Sequence, residues 1–448
     1  MPFGKLFYIT LGCAKNEVDT DRMRSLLNAG GYEEADAPAG ADLVLVNTCS
    51  FLAAATSESI ETTLQLAEEV AAGARSVPIV MCGCVPSRYG SDLPAELPEV
   101  AAFVRTDEED GIVSVVDGLL GVERQAPSHV PSVKRTVEGA VAYLKISDGC
   151  DRFCSFCAIP SIRGGYRSRA AASIIAEARD LVAGGVRELV LIGQDTGIWG
   201  EDFDDEQVGD GPRTLAGLLR AVAWAVRPEH VWIRVLYLQP EGMTDELIAA
   251  IRDIPEVLPY IDIPVQHCSA HVLRDMNRSG TEEELDRLFE RLRAEIPGMV
   301  IRTTYLAGFP GETDEDAEAM LAFMDRTGFD YTSVFEYSQE DGTAAAEMEQ
   351  LPEDVKVERA QAGMDLAESL GFAATAAHVG EVAEVIVDGI EEGGEGTELI
   401  GHAWFQAPDC DGAVHLDASE ASVGDILKVE FTDSFCYELV GHVIEEGE

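Results

Sequence analysis

Basic residues are scarce in this 448-residue chain. Its 32 Lys and Arg face 82 Asp and Glu, a formal net charge of −50. That deficit excludes a protein that coats nucleic acid through general phosphate contacts, which need clustered Lys and Arg. Two readings of the acidity stay open: adaptation of a whole proteome to high salt, or recognition of a strongly basic partner. Long apolar runs are also missing. No stretch reaches the roughly 18 uninterrupted apolar residues of a membrane helix. The first residues, Met1-Pro-Phe-Gly-Lys-Leu-Phe-Tyr-Ile-Thr10, read as a strand rather than a signal peptide. The expected location is cytoplasmic, with no membrane partner. Ten cysteines in such a setting do not make a disulfide framework. Those with motif spacing are assigned ligand duty, and Cys82, Cys268, Cys410 and Cys436 are assigned to small buried apolar positions.

What is missing around residue 150 is equally informative. Cys150, Cys154 and Cys157 stand at C-x3-C-x2-C spacing with no fourth cysteine nearby. A structural zinc site or a closed electron-transfer cluster takes four protein ligands. Three thiolates on one tight loop instead suit a cubane cluster with one open iron, free to bind and activate a small molecule.

The length predicts two to four domains, and a composition 46% hydrophobic and 25% charged is globular. Strand-like runs at Lys5–Leu11, Asp42–Asn47 and Val77–Met81 alternate with helix-like runs at Glu17–Ala29 and Thr56–Ala72. This order predicts a parallel sheet with helices on its faces. Cys13, Cys49 and Cys84 each follow one of those strands, and ligands of open parallel sheets gather beyond the strand carboxyl ends. They form a candidate second trio of thiolates. Cys82 competes with Cys84, because alternation puts both on one face.

Residues 125–139 hold prolines and no period, and read as a linker between a first domain over 1–124 and a second over 140–374. In the second, strands at Ala140–Ile146, Glu188–Ile192, Val231–Leu236, Tyr260–Ile263, Val300–Leu306 and Tyr331–Phe335 alternate with helices at Ala171–Ala183, Leu215–Ala225, Thr244–Ile251, Glu282–Ala294 and Asp314–Thr327. Six such units predict a partial (β/α) barrel with the cysteine loop at its carboxyl-terminal rim. Residues 375–448 change to short strands with Gly- and Asp-rich turns, a small all-β barrel. From His378 to Glu448 it carries 18 Asp and Glu against Lys428 alone, a net of −17.

Several features read two ways. Gly308-Phe-Pro-Gly-Glu-Thr313 is either a turn or a rim loop that lets backbone approach a ligand. Gln194-Asp195-Thr196 ends a barrel strand, where a binding role is favoured. His267 reads as a structural histidine. Arg163 and Arg167 are surface charge, or partners of an anionic cofactor. Trp199, Trp232 and Trp404 read as core or partial-core aromatics.

C-x3-C-x2-C after a first barrel strand resembles the radical S-adenosylmethionine enzymes. The run Ile146-Ser-Asp-Gly-Cys-Asp-Arg-Phe-Cys-Ser-Phe-Cys-Ala-Ile-Pro-Ser-Ile-Arg-Gly164 is similar to the methylthiotransferases in particular. The likeness extends through Leu11-Gly-Cys-Ala-Lys-Asn16, Val46-Asn-Thr-Cys-Ser-Phe51, Cys82-Gly-Cys84, Tyr260-Ile-Asp-Ile-Pro-Val-Gln-His267 and Arg302-Thr-Thr-Tyr-Leu-Ala-Gly-Phe-Pro-Gly-Glu-Thr313, and the last segment resembles a TRAM domain. Asp148 stands where the family has Glu.

The resemblance implies two [4Fe–4S] clusters, on Cys150, Cys154 and Cys157 and on Cys13, Cys49 and Cys84, and so sets Cys82 aside. The first would bind and cleave S-adenosyl-L-methionine to abstract hydrogen; the second would carry the sulfur. Gln194, Asp195, Gly308, Gly311 and Glu312 are the implied rim contacts to the cofactor. Leu11–Asn16, Phe335–Thr343 and Ala403–Gly412 resemble the branch that modifies an aspartate β-carbon in ribosomal protein S twelve, rather than the branch that modifies a tRNA adenosine. The poverty of the last barrel in basic residues points the same way, making tRNA an unfavoured substrate. An electron donor such as flavodoxin or ferredoxin is implied, and the sulfur donor is left unassigned. The reading from a different class is a non-catalytic iron–sulfur adaptor on the ribosome.

Overall fold

The computed structural model describes residues 2–72, 77–123, 133–135, 137, 139–204, 211–393, 396–416 and 421–444. Most of the expected linker therefore lies outside the described residues. The first unit is a five-stranded parallel sheet in the order Glu33–Glu34, Lys5–Thr10, Leu43–Thr48, Ile79–Gly83, Ala102–Arg105. The central strand Leu43–Thr48 is buried at every residue. Helices cover both of its faces, which is why it reads as an unbroken apolar run rather than an alternating one. Leu43 and Leu45 pack with Met23, Leu26 and Val116, while Val44 and Val46 pack with Leu66 and Val70.

The middle unit is a six-stranded parallel sheet in chain order: Val141–Lys145, Glu188–Ile192, Trp232–Val235, Val257–Asp262, Val300–Ala307, Tyr331–Glu336. Helices include Ala171–Ala183, Leu215–Val226, Asp245–Asp253, Glu282–Glu295 and Asp314–Thr327, the expected pattern of an open, partial barrel. Capping boxes fix two starts, Thr281 with Glu284 and Thr313 with Asp316. The strand Ala102–Arg105 and the helices Ile112–Leu120 and Glu353–Ala376 were not expected. The last spans 24 residues, yet its buried positions are Lys356, Ala360, Gly363, Ala367, Gly371 and Thr375. Small residues leave almost no hydrophobic stripe to detect.

The third unit is a closed barrel in the order Val382–Gly393, Gly396–Ala403, Val414–Leu416, Leu439–Val443, Ile426–Ser434. It packs on the face of the six-stranded sheet turned away from the helices. Tyr143, Val190, Trp232 and Tyr260 share one core cluster with Val385, Phe405 and Leu439. Polar bonds fix the register of the two. Tyr260 Oη donates to Asp411 Oδ2 at 2.5 Å and Arg302 Nε donates to Asp411 Oδ1 at 3.1 Å. Cys82 and Cys268 are buried as expected. Cys410 is exposed and Cys436 half-buried, which corrects their assignment to the core. Cys410 follows Asp409, whose backbone is left-handed (φ +62°).

Candidate active site

The first cysteine trio gathers where three adjacent parallel strands end. Cys13 precedes the helix Ala14–Ala29 in extended conformation. Gly12, at φ +107°, permits a close approach: a Cβ there would lie 2.7 Å from the Cys49 Cβ. Gly83, at φ +91°, breaks the strand, and Cys84 opens the short helix Cys84–Tyr89. Alternation alone leaves Cys82 and Cys84 on one face; this turn separates them. Cys82 stays in the sheet core with Leu6, Leu45 and Val104. Asn16 binds the trio together. The Cys13 thiol donates to its Oδ1 at 3.4 Å, and its Nδ2 donates to Thr48 O at 3.0 Å and faces Cys84 Sγ at 4.0 Å. Burial pushes the Cys84 thiol up to about 11; Arg163 opposes this, and Cys49 and Cys13 add to it.

The second trio lies on the loop after the first barrel strand. Cys157 N donates to Cys154 O at 3.0 Å. Burial pushes the Cys157 thiol up to about 12, and the adjacent Cys154 and Cys150 contribute. The loop is held from behind. Asn277 Nδ2 donates to Arg152 O and Phe153 O at 3.1 and 2.9 Å, and Ser155 Oγ donates to Asp275 O at 2.8 Å. Phe153 is thereby kept at φ +50°. Arg278 Nη1 faces Cys154 Sγ at 3.9 Å. Among the described residues no three His, Cys, Asp or Glu side chains are spaced to hold a single metal ion. An iron–sulfur cluster spreads its thiolates over separate irons, and two groups of mutually facing thiols, each beside a guanidinium, fit such an anionic group.

The two trios share one junction. Cys84 packs against Ala158 and Ile162, directly after Cys157. Arg163, expected either as surface charge or as a partner of an anionic group, is 5% exposed. Its Nη1 donates to Asp19 Oδ2 at 3.0 Å and to Asp148 Oδ1 at 3.2 Å, and its Nη2 faces Cys84 Sγ at 4.0 Å. Lys145 pairs with Asp19 and, at 3.1 Å, with Asp148. Burial would raise the Asp148 carboxyl, but Lys145 and Arg163 hold it well below the usual carboxylate range. A second tie runs from the last barrel strand. Glu340 accepts from Ala53 N at 2.8 Å and from Arg88 Nη1 at 3.1 Å.

The rim residues divide. Asp195 is buried; its Oδ2 accepts from Arg152 Nε at 2.6 Å. Gln194 Nε2 donates to Asp148 Oδ1 at 3.3 Å. Asp195 Oδ1 and Gln194 Oε1 are buried acceptors without a donor among the described residues, suited to an incoming hydroxyl or amino group. The loop from Gly308 is engaged differently. Glu312 accepts from Gly308 N at 2.9 Å, Phe309 N at 3.3 Å and Arg359 Nη1 at 3.1 Å. A Cβ on Gly308 would lie 2.8 Å from Lys356 Cγ. Gly308 and Glu312 therefore seat the long helix. Phe309 supports the cysteine loop through a cluster that includes Phe156 and Met276. Gly311, at φ +86°, lies 3.9 Å (at a built Cβ) from Asp275 Oδ2. His267 is buried with Nδ1 accepting from Ser269 N at 2.9 Å, a structural role. Lys145, Asp19 and Arg152 escape a reading by spacing, because each gains its partner from a distant segment.

Three thiols at the rim of an open parallel barrel, faced by a thiol-bearing parallel sheet, define a radical S-adenosylmethionine protein with an accessory cluster domain. Residues 144–324 match the Radical SAM superfamily, residues 5–105 the uncharacterized protein family UPF0004, and residues 379–444 the TRAM domain. The ribosomal protein uS12 methylthiotransferase RimO of Trichlorobacter lovleyi is 40% identical, covering 99% of this chain and 98% of its own. Those of Geobacter sulfurreducens and Thermosynechococcus vestitus are each 41% identical over 98% of this chain, and over 98% and 96% of their own. The chain belongs to the RimO family of ribosomal protein uS12 methylthiotransferases. Among solved structures, the radical S-adenosylmethionine methyltransferase TsrM from Kitasatospora setae shares the fold, with a TM-score of 0.54 and 15% identity over 75% of each chain.

Proposed function

We propose that this protein adds a methylthio group to the β-carbon of an aspartate in ribosomal protein S twelve. The observation that carries the reading is the shared junction: two trios of thiols lie across one buried Arg163–Asp19–Asp148–Lys145 network. In this reading Cys150, Cys154 and Cys157 hold the [4Fe–4S] cluster that binds S-adenosylmethionine, and Cys13, Cys49 and Cys84 hold a second. When bound, these groups supply reductive cleavage of the sulfonium and the sulfur to be transferred. The chain's own contribution is positioning and charge. Asn277 and Ser155 fix the loop of Cys150, Cys154 and Cys157. Arg278 stands beside Cys154 and Arg163 beside Cys84, and Gln194 and Asp195 offer buried acceptors to the cofactor's donors. In this reading the 308–312 loop brings Gly308, Gly311 and Glu312 to the rim as candidates for cofactor approach, with the Gly311 carbonyl 3.4 Å from His271 Nε2.

A basic ribosomal protein suits the acidic terminal barrel by charge, and a tRNA does not, since Lys428 is that segment's one basic residue. Some of that acidity is spent internally, on Asp411 with Arg302 and Asp388 with His402, whereas Asp425, Glu430 and Asp433 stay exposed. The reading includes a cytoplasmic location and a flavodoxin- or ferredoxin-like electron donor. Among the described residues no helix is long and apolar enough to cross a membrane.

Anaerobically reconstituted protein should carry about eight irons per chain and yield 5′-deoxyadenosine on reduction. The triple alanine variant at Cys150, Cys154 and Cys157 should keep about four irons and yield none. Mass spectrometry of a deletion strain should show ribosomal protein S twelve lighter by one methylthio group. A change confined to tRNA would overturn the assignment, and two clusters without 5′-deoxyadenosine would indicate the adaptor.

A further inference from the structure

Lys15 is the cation that the junction leaves over. It is 7% exposed, and its ammonium sits over the ring of Tyr237, 3.1 Å from the centroid. Among the described residues no carboxylate pairs with it and no acceptor hydrogen-bonds it. Its charged surroundings are Cys13, Arg163, Asp262 and Asp148, and both of those carboxylates are committed elsewhere. Asp262 accepts from Arg302 Nη1 at 3.1 Å and from Tyr237 N at 3.0 Å. Asp148 accepts from Lys145, Arg163, Gln194 and the Gly149 N–H. Lys145 and Arg163 take up Asp19 and Asp148, with the buried Glu109 beyond them, so the network leaves Lys15 no carboxylate of its own.

A buried, unpaired ammonium is costly, and this fold does more than tolerate it. Tyr237 is held in the left-handed region at φ +63°, where a bulky side chain is strained. Its N–H is tied to Asp262 and its carbonyl accepts from Thr196 N at 3.0 Å. Those bonds set the ring as a floor under the ammonium, an arrangement that stabilises a cation without consuming its hydrogen bonds. The ammonium lies over Tyr237 at the barrel rim, and Cys13 of one trio is its nearest thiol neighbour.

We propose that Lys15 binds the side-chain carboxylate of the aspartate being modified, orienting its β-carbon and selecting aspartate over asparagine. This rests on the methylthiotransfer reading above. A carboxylate also exists on S-adenosylmethionine, and the test separates the two sources.

Full-length reconstituted protein is compared with Lys15→Met, Lys15→Gln and the charge-keeping Lys15→Arg. Affinity and turnover are measured with intact ribosomal protein S twelve and with the same protein carrying asparagine at the acceptor position. Loss of a charged hydrogen bond predicts that the native preference for aspartate falls by roughly 10- to 100-fold in Lys15→Met and Lys15→Gln. It should fall less in Lys15→Arg. The S-adenosylmethionine affinity and the iron content should stay unchanged. An intact preference for aspartate overturns the proposal. So does weaker S-adenosylmethionine binding with the preference kept, which would assign Lys15 to the cofactor. Loss of clusters in both Lys15→Met and Lys15→Gln overturns it in favour of a structural role. If the wild-type protein leaves ribosomal protein S twelve unmodified, the functional reading fails first. If it modifies the protein and only the preference is insensitive to Lys15, the inference alone fails.

Discussion

At the residue scale, the meaning of a side chain is set by where its backbone turns. Cys82 and Cys84 are two residues apart and chemically equal. Gly83 sends one into the sheet core and the other to the trio, and a Cβ at position 83 would lie 2.2 Å from Asn47 Oδ1. Cys84→Ala should therefore lower the iron content from about eight to about four. Cys82→Ala should leave it unchanged and cost about 1 kcal/mol of stability for the small cavity. Iron analysis and urea unfolding on the same preparations check both; equal iron loss in the two would reverse the assignment. Glu312 teaches the complementary lesson. In the sequence it is a rim carboxylate after a Gly-Phe-Pro-Gly turn. In the structure its oxygens are filled by two backbone N–H groups and Arg359. Spacing located the loop, and only the partners fixed its task.

At the scale of elements, the helix Glu353–Ala376 couples the open barrel to the closed one through the smallness of its residues. Gly363 meets Val334, and Gly371 meets Tyr437, whose Oη donates to Ala367 O at 3.0 Å. In an exposed helix Gly→Ala gains about 1 kcal/mol from propensity. At position 371 the new methyl would lie 2.5 Å from Tyr437 Cζ, and overpacking costs roughly 1–3 kcal/mol. The clash should win. Gly371→Ala is expected to lower the thermal midpoint, and Tyr437→Leu in the same chain should restore part of it. A double-mutant cycle gives the answer, because residues in contact do not add. Additive effects would mean that the pair does not share the load.

At the scale of the whole molecule, the closed barrel is docked through buried ions. Glu188 accepts from Arg234 Nε at 2.6 Å and pairs with His402 Nε2 at 2.7 Å, and His402 Nδ1 meets Asp388 at 2.6 Å. Burial would lower the His402 pKa, but Glu188 and Asp388 hold it up at about 9. Burial would raise Glu188, but Arg234 and His402 bring it down to about 2. The raised histidine stabilises fully below its unfolded value near 6.5, and that contribution is lost as pH rises through about 9. The depressed carboxyl stabilises fully above its unfolded value of about 4.5, and its contribution is lost as pH falls towards about 2. Both operate between about pH 4.5 and 6.5. Calorimetry across pH should show the docked barrel losing on the order of 3 kcal/mol between pH 6.5 and 9. His402→Gln should flatten that limb, and an unchanged profile would place the alkaline loss elsewhere.

The sequence by itself determined the three units and the trio Cys150, Cys154 and Cys157, and for the other trio it left Cys82 and Cys84 in competition until the resemblance favoured Cys84. Strand and helix periods are local properties, and C-x3-C-x2-C is a constraint within eight residues. It also determined that the terminal barrel is acidic. Only the tertiary structure decided that Gly308 and Glu312 brace a helix, that Arg163 joins the trios, and that Lys15 sits on an aromatic ring rather than on a carboxylate. Those facts depend on which distant carboxylates fold against which cations. Asp19 reaches Lys145 and Arg163 across more than a hundred residues, and no local period encodes such a pairing.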